Sequence, residues 1–424
     1  MRILLTGASG FIGRHLRAAL LAEGHQVVSA TRTTPNGAST GLTYLHADFT
    51  KDTQKAVWLA RLRDVDVVIN AVGIFREKGR QSFAALHTDA PCALFAACVD
   101  APTVQLVVQL SALGADEHAE TRYHLSKKTA DDYLASLPLR AFILQPSLVY
   151  GKEGVSARIF KTLASMPFFV RFGNAEQLVQ PIHVDDVVDA IVSLVRLPPP
   201  ASVGSTVRRI ALVGPAALPF TGYLAQLRAA MGMGKLRVLR LPRLLGRALA
   251  WLRIGLFDPD ALRMLDRGNS ADPGPTIALL GRAPRMPASF VDDPAAERAQ
   301  AKLGWLLPML RMSIAFVWIA TAYVSAAVYP PELSYQLLER TGVPPALGPL
   351  MLYGAAVFDL LLGLGILLLA RRRWLWLAQL VLIGFYTVVI AWKLPEFLWH
   401  PYGPLTKNVP ILAAIWLLYQ LEEK

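Results

Sequence analysis

Residues 1–13 read Met1-Arg-Ile-Leu-Leu-Thr-Gly-Ala-Ser-Gly-Phe-Ile-Gly13. An apolar strand, Arg2–Thr6, runs straight into three glycines spaced G-x-x-G-x-x-G. The next stretch, Phe11–Glu23, is amphipathic at helical spacing and closes on Gly24. Strand, tight turn and helix start in that order make a phosphate cradle. Gly7 permits the turn, Gly10 admits phosphate to bare backbone, and Gly13 lets the helix pack close to the strand. The helix N-terminus adds free N–H groups and a partial positive charge. Ser9, Phe11 and Ile12 fill the spaces between the glycines and share that cradle. A dinucleotide is the expected ligand.

Further apolar strands read at Gln26–Ala30, Leu42–His46, Val65–Asn70, Gln105–Leu110 and Ala141–Leu144, with helical stretches between most of them. That alternation predicts an α/β fold, a doubly wound parallel Rossmann sheet with a small second lobe. The expected front domain covers 1–300, with 1–150 mainly nucleotide-binding and 151–300 mainly substrate lobe. Pro198-Pro199-Pro200 and the Ala-Ser-Val-Gly after it mark a break in that lobe, 271–293 reads as loop, and Ala295–Leu303 as a last soluble helix.

The remaining 305–424 is different. Only 14 of these 120 residues are charged, against 60 of the first 304. Four apolar stretches, Trp305–Tyr329, Leu347–Ala370, Trp374–Trp392 and Leu405–Leu421, approach the ~20 residues that cross a bilayer, the last marginally. Tryptophan and tyrosine gather at their ends. The expectation is an all-α four-helix transmembrane bundle. The first strand begins at residue 2, which leaves no room for a signal peptide, so the front domain is expected on the cytoplasmic side. Arg371-Arg372-Arg373 then falls inside, as the positive-inside rule requires, while Lys393 and Lys407 fall outside against it.

The net charge of +12 comes without any nucleic-acid motif, and a membrane surface accounts for it better. Lys235–Arg253 mixes leucines with Arg237, Arg240, Arg243, Arg247 and Arg253; it suits either an anionic bilayer surface or a solvated basic helix. Cys92 and Cys98 match no metal or redox spacing and read as buried thiols. No metal site is expected.

Chemistry concentrates where the strands end. After the second strand stands Arg32, with no acid to bind ribose hydroxyls, which favours NADP over NAD. Asp48, after the third strand, is placed to read the adenine edge. Ala71, Val72 and Gly73, after the fourth, are small enough for a cofactor to pass. Ser111 follows the fifth, with Tyr123 and Lys127 beyond it; Tyr and Lys at i and i+4 share a helix face. Tyr123 is the only one of 12 tyrosines with a lysine four residues on. His87-Thr88-Asp89 reads as a helix start capped by Thr88 or Asp89. His183, Asp185 and Asp186 read as packing and hydrogen-bonding residues. In the tail, Asp359 interrupts an apolar span and should face the bundle interior. His400 and Lys407, with Asn408, are candidates for an anionic or quinone-like group.

The set T-G-A-S-G-F-I-G, N-A-V-G, Ser111–Tyr123–Lys127, Gln145-Pro-Ser-Leu-Val-Tyr-Gly151 and Gln180-Pro-Ile-His-Val-Asp-Asp-Val187 resembles the extended or atypical short-chain dehydrogenases/reductases. Within them it is similar to relatives of the nucleotide-binding accessory subunit of respiratory complex I. The tail resembles the DoxX-like membrane family, most around His400-Pro-Tyr-Gly-Pro-Leu-Thr-Lys-Asn408. The resemblance implies Tyr123 as general acid/base, with Lys127 lowering its pKa and holding the nicotinamide ribose. It implies Ser111 on the substrate oxygen and Pro146 beside the cofactor. It implies hydride transfer to or from the nicotinamide; the membrane tail adds the expectation of a small, lipophilic carbonyl, hydroxyl or quinone-like substrate met at the bilayer. The rival readings are a non-catalytic NADP(H)-binding assembly or redox-sensing protein with a membrane-complex partner, and a membrane transport module with the front domain as sensor.

Overall fold

The computed structural model describes residues 1–33, 40–172, 176–198, 206–241 and 259–422. Pro199, Pro200 and Ala201–Gly204 lie outside these, as does most of the basic 235–253 segment, including Arg243, Arg247 and Arg253. The chain divides into two compact units, Met1–Ala301 and Lys302–Lys424.

Seven strands form the central sheet of the first unit: β1 (Arg2–Thr6), β2 (Gln26–Thr31), β3 (Leu42–His46), β4 (Val67–Asn70), β5 (Leu106–Leu110), β6 (Arg140–Pro146) and β7 (Thr206–Leu212). Their spatial order is β3-β2-β1-β4-β5-β6-β7, and every pairing is parallel. The first seven described helices of this unit are α1 (Phe11–Ala22), α2 (Lys55–Arg61), α3 (Ala90–Asp100), α4 (Arg122–Ala135), α5 (Val155–Ser165), α6 (Val184–Arg196) and α7 (Phe220–Ala230). Leu16 and Leu20 of α1 and Val187 and Ile191 of α6 bury one sheet face. Trp58, Leu94, Phe95 and Leu134 of α2, α3 and α4 bury the other. With both faces covered, the central strands are continuous apolar runs, which is why they are readable. β7 is not. Thr-Val-Arg-Arg-Ile-Ala-Leu sits at the sheet edge, where its arginines reach solvent.

The second lobe corrects three expectations. Within 271–293, Gly274–Leu280 (α9, after α8 at Pro259–Arg267) is a helix, begun by Pro275 and closed by Gly281 at φ +66°; proline at the start and glycine past the end are its signals. Val238–Leu241 is a strand paired with Phe169–Phe172, so the basic segment does not begin as a helix. Ala295–Leu303 is the start of α10 (Pro294–Tyr323), not a separate helix. Gly304 costs a helix only ~1 kcal/mol, too little to end it.

Glu297, in the first turn of α10, is 1% exposed and pairs with Lys161 of α5, 2% exposed, at 2.7 Å. The Tyr150 hydroxyl also donates to it, at 3.1 Å. Glu297→Gln keeps the shape but leaves the Lys161 charge unpaired. The first unit should then lose about 3 kcal/mol, read by chemical denaturation, because a broken buried pair strands its partner.

In the second unit α10 gives way to a wide turn at Val324–Val328. It is followed by α11 (Pro331–Thr341), α12 (Gly348–Leu368), α13 (Arg373–Lys393) and α14 (Asn408–Leu421). Among the described residues three helices are long and apolar enough to cross a membrane: Pro294–Val328, Pro345–Leu368 and Arg373–Lys393. The fourth expected span is shorter than read. α14 has 14 residues, about 21 Å of helix.

Candidate functional site

The glycine loop leaves β1, and Asn70–Gly73 leaves the adjacent β4, where strand order reverses. Ligands of open parallel sheets bind at that switch point. Gly7 has φ +69°, and a Cβ there would lie 2.5 Å from the Ala71 carbonyl oxygen. A Cβ on Gly13 would lie 2.0 Å from the Gly7 oxygen. Only glycine fits either place. The N-terminus of α1 has no side-chain cap and no acid in its first turn, and Ser9 and Gly10 are exposed. Its N–H groups are thus free for an anion. The Phe11 ring packs on Gly151 and Gly154, so Phe11 offers the cradle its backbone. The residues present fit a dinucleotide pyrophosphate.

Behind the loop runs a buried polar chain. Thr6 Oγ1 donates to Asn70 Oδ1 at 2.6 Å, and Asn70 Nδ2 donates to Gln109 Oε1 at 2.7 Å. Lys127, 3% exposed, donates to the Val72 and Leu110 carbonyls at 3.1 and 3.0 Å. Gly73 is bare where the Lys127 ammonium passes. Pro146 ends β6, and its carbonyl accepts from Leu113 N–H at 3.0 Å, fixing the loop after Ser111.

The structure alters two of the expected roles. Ser111 is buried and donates to Asp131 rather than facing the cleft. Nor does Lys127 lower the Tyr123 hydroxyl: burial, then the Asp131 charge, pushes it up to about 12. The ammonium is turned instead to two backbone carbonyls. Burial brings Lys127 itself down to about 8, against the pull of Asp131. Asp131 is raised to about 6 by burial, with Ser111, Lys127, Arg209 and Gln109 holding it from going higher.

The Tyr123 ring lies among Phe75, Phe83, His87 and His124. It lines a cleft of about 170 Å³ with Phe75, Phe83 and Met264 as apolar walls and Arg122 and Glu77 at the rim. A larger depression, about 600 Å³, lies on the β3–α2 edge by Tyr44 and Arg61, away from every one of these groups.

Comparison with known proteins agrees with this arrangement. The model of the NAD dependent epimerase/dehydratase family matches residues 3–204, and that of the DoxX-like family residues 315–416. The chain is an epimerase/dehydratase domain joined to a DoxX-like domain. A nucleoside-diphosphate-sugar epimerase from Staphylococcus aureus shares the fold of the former at TM-score 0.55 and 14% identity, covering 68% of this chain and 99% of that one. UDP-glucuronic acid 4-epimerase from Bacillus cereus, solved with NAD, does so at TM-score 0.51 and 18% identity, covering 72% and 100%. A ceramide reductase of Caulobacter vibrioides is 25% identical over 207 residues, 46% of this chain and 61% of that protein. An uncharacterized protein of Mycobacterium tuberculosis is 28% identical over 188 residues, 44% of this chain and 19% of that one. The chain thus spans less than two thirds of either relative.

Around the epimerase/dehydratase cradle, the other expected residues fall as follows. Arg32 follows β2 exposed, facing the Gln81 amide, whose oxygen accepts once turned toward it. Asp48 accepts from the Thr50 hydroxyl and N–H at 2.8 and 3.1 Å. Burial raises it, but these bonds and the charges of Lys51 and Arg32 prevail and hold it low. His183 accepts from Asp185 N–H, and Asp186 takes Arg282, which are structural roles. In the DoxX-like domain Asp359 is buried, 8% exposed, while His400 and Lys407 stand exposed in the loop before α14.

Sequence reasoning missed Asp131 and His87. Asp131 had a signal: Tyr123, Lys127 and Asp131 recur every four residues along one face of α4. His87 was misread. It lies within a wide helical turn, Ala84–Asp89, with no side-chain cap there or at Ala90. Its Nε2 accepts from Ile74 N–H at 3.0 Å and its Nδ1 meets Ser126 Oγ at 2.9 Å. Burial, then the Lys127 charge, lowers it to about 2, so it stands neutral against Tyr123.

Proposed function

We propose that this protein is a membrane-held, NADP(H)-dependent oxidoreductase acting on the carbonyl or hydroxyl of a lipophilic substrate, a keto-lipid or quinone-like molecule. The observation that carries the reading is Tyr123, a proton-bearing group at an aromatic-walled cleft, in a chain that continues into apolar helices. The similarity to a ceramide reductase supports a lipid substrate.

A bound nicotinamide dinucleotide supplies hydride chemistry. Gly7, Gly10, Gly13 and Ala71–Gly73 hold its phosphates and backbone, and Arg32 takes the 2′-phosphate. Tyr123 gives or takes the proton at the substrate oxygen. Lys127 keeps a positive charge beneath that site. The Val72 and Leu110 carbonyls set the position of Lys127, and Asp131, held by Ser111, adds its charge. Arg311 and Arg372 meet Glu422 at one end of the bundle, 3.1 and 3.5 Å away. Such gathered arginines favour that end on the cytoplasmic side.

The second reading, an NADP(H)-binding assembly or redox-sensing protein of a membrane complex, draws on Ser111 being turned inward and on the high Tyr123 pKa. Full-length protein in nanodiscs, given NADPH or NADH with long-chain keto-lipids and quinones, separates the two. The expected result is turnover favouring NADPH, with Arg32→Ser reducing that preference roughly 10- to 100-fold, the worth of a charge-assisted phosphate contact. Stoichiometric NADPH binding with no turnover on any substrate would establish the binding protein instead.

A further inference from the structure

The interior of the membrane unit holds two hydrogen-bonding groups that its own fold leaves unmatched. Asp359 is the twelfth residue of α12, in its buried stripe of Leu352, Ala356, Leu362 and Ile366. Gln379 of α13 is 0% exposed. Its Oε1 accepts from Trp318 Nε1 at 2.8 Å. Among the described residues, Asp359 Oδ1 and Gln379 Nε2 have no hydrogen-bond partner.

The helix register brings the two to one depth. A Cβ on Gly365 would touch Leu375 at 3.2 Å, which sets the register of α12 against α13. The helices are joined by four residues and run antiparallel, so six residues back from Gly365 meets six on from Leu375, near Val381. At ~1.5 Å per residue, Gln379 lies about 3 Å along the axis from the Asp359 level. Gly363, one turn past Asp359, packs against Trp318, which carries Gln379.

An unpaired buried polar group is costly, and two of complementary kind at one depth invite a ligand that pairs them. We propose that Asp359 and Gln379 bind the uncharged head of a lipid, an amide or hydroxyl on aliphatic chains. Such a head donates to Asp359 and accepts from Gln379. Val357, Leu361, Val381 and Phe385 are exposed at the same depth, on the outward helix faces. No lysine, arginine or histidine stands between residues 348 and 368 or between 374 and 392, so an anionic head finds no partner.

The test uses full-length protein in phosphatidylethanolamine–phosphatidylglycerol nanodiscs and a diazirine-bearing N-acyl sphingoid probe. Crosslinks should map to 356–386 and fall at least tenfold in Asp359→Leu and Gln379→Leu. Tyr123→Phe should label as the unaltered protein does, since the site is independent of front-unit chemistry. Asp359→Leu should melt no lower than the parent, because it removes an unpaired polar group; Gln379→Leu also strands the Trp318 Nε1 donor and should melt lower. On the unaltered protein, unlabelled N-acyl lipid should compete, and fatty acids and long-chain amines should not. Labelling unchanged in both variants, or competed equally by the charged amphiphiles, overturns the proposal.

Discussion

Replacing Gly13 with alanine is expected to abolish dinucleotide binding. The added Cβ would sit 2.0 Å from the Gly7 oxygen, 2.8 Å from its carbonyl carbon and 3.0 Å from Ala8 Cα. All three are backbone atoms, so no rotamer change relieves the clash. α1 must move off β1, and its N–H groups move with it. The loss should exceed roughly a thousandfold in affinity, about 4 kcal/mol, with unfolding easier by ~1–3 kcal/mol from overpacking. Gly24→Ala separates the two effects. Gly24 has φ +78° but nothing within 4 Å of a Cβ, so alanine there should cost ~1–2 kcal/mol of left-handed strain and leave affinity intact. Calorimetric titration with NADPH, beside thermal melts, reads both. Unchanged affinity in Gly13→Ala would move the phosphates away from this loop.

The parts of the fold that read directly from the chain are those whose cause is local. β1 and β3 have the expected bounds because each is a short apolar run bounded by turn residues. The glycine loop reads because only glycine fits its steric demands. What did not read depends on distant partners. β7 carries Arg208 and Arg209 and becomes a strand only because β6 offers it an edge. α10 was divided at Gly304, since a pattern changing from charged to apolar resembles a boundary even where the backbone has none. The inward turn of Ser111 is set by Asp131, twenty residues away, and no residue-type rule names that partner. His87 was legible as part of a helix but not as a neutral ring against Tyr123, because its neutrality arises from burial.

The second large effect is expected at Tyr123. Tyr123→Phe removes one hydroxyl and leaves the ring packed on Phe75 and His87. Turnover should fall about a thousandfold, within the ~10²–10⁴ that positioned proton transfer supplies, while NADPH affinity stays within about threefold. The pH dependence then tests the groups beneath it. Asp131 titrates at about 6 and Lys127 at about 8, so the interacting pair is doubly charged only between those values. Turnover should plateau there, and Asp131→Asn should remove the acidic limb and move the alkaline one to lower pH, because Lys127 loses the charge that holds it up. Stability runs the opposite way. Asp131 is raised from 3.8, so the folded state holds that proton more tightly, and the stability it confers is lost as pH rises toward 6. Lys127 is lowered from 10.5, so its contribution is regained only as pH climbs from 8 toward 10.5. The pair therefore weakens the fold most where it is charged, which is where the proposed chemistry needs it. Asp131→Asn should gain thermal stability relative to the parent at pH 7 but not at pH 4. A variant that melts lower at both, with an unaltered acidic limb, would make Asp131 a packing residue.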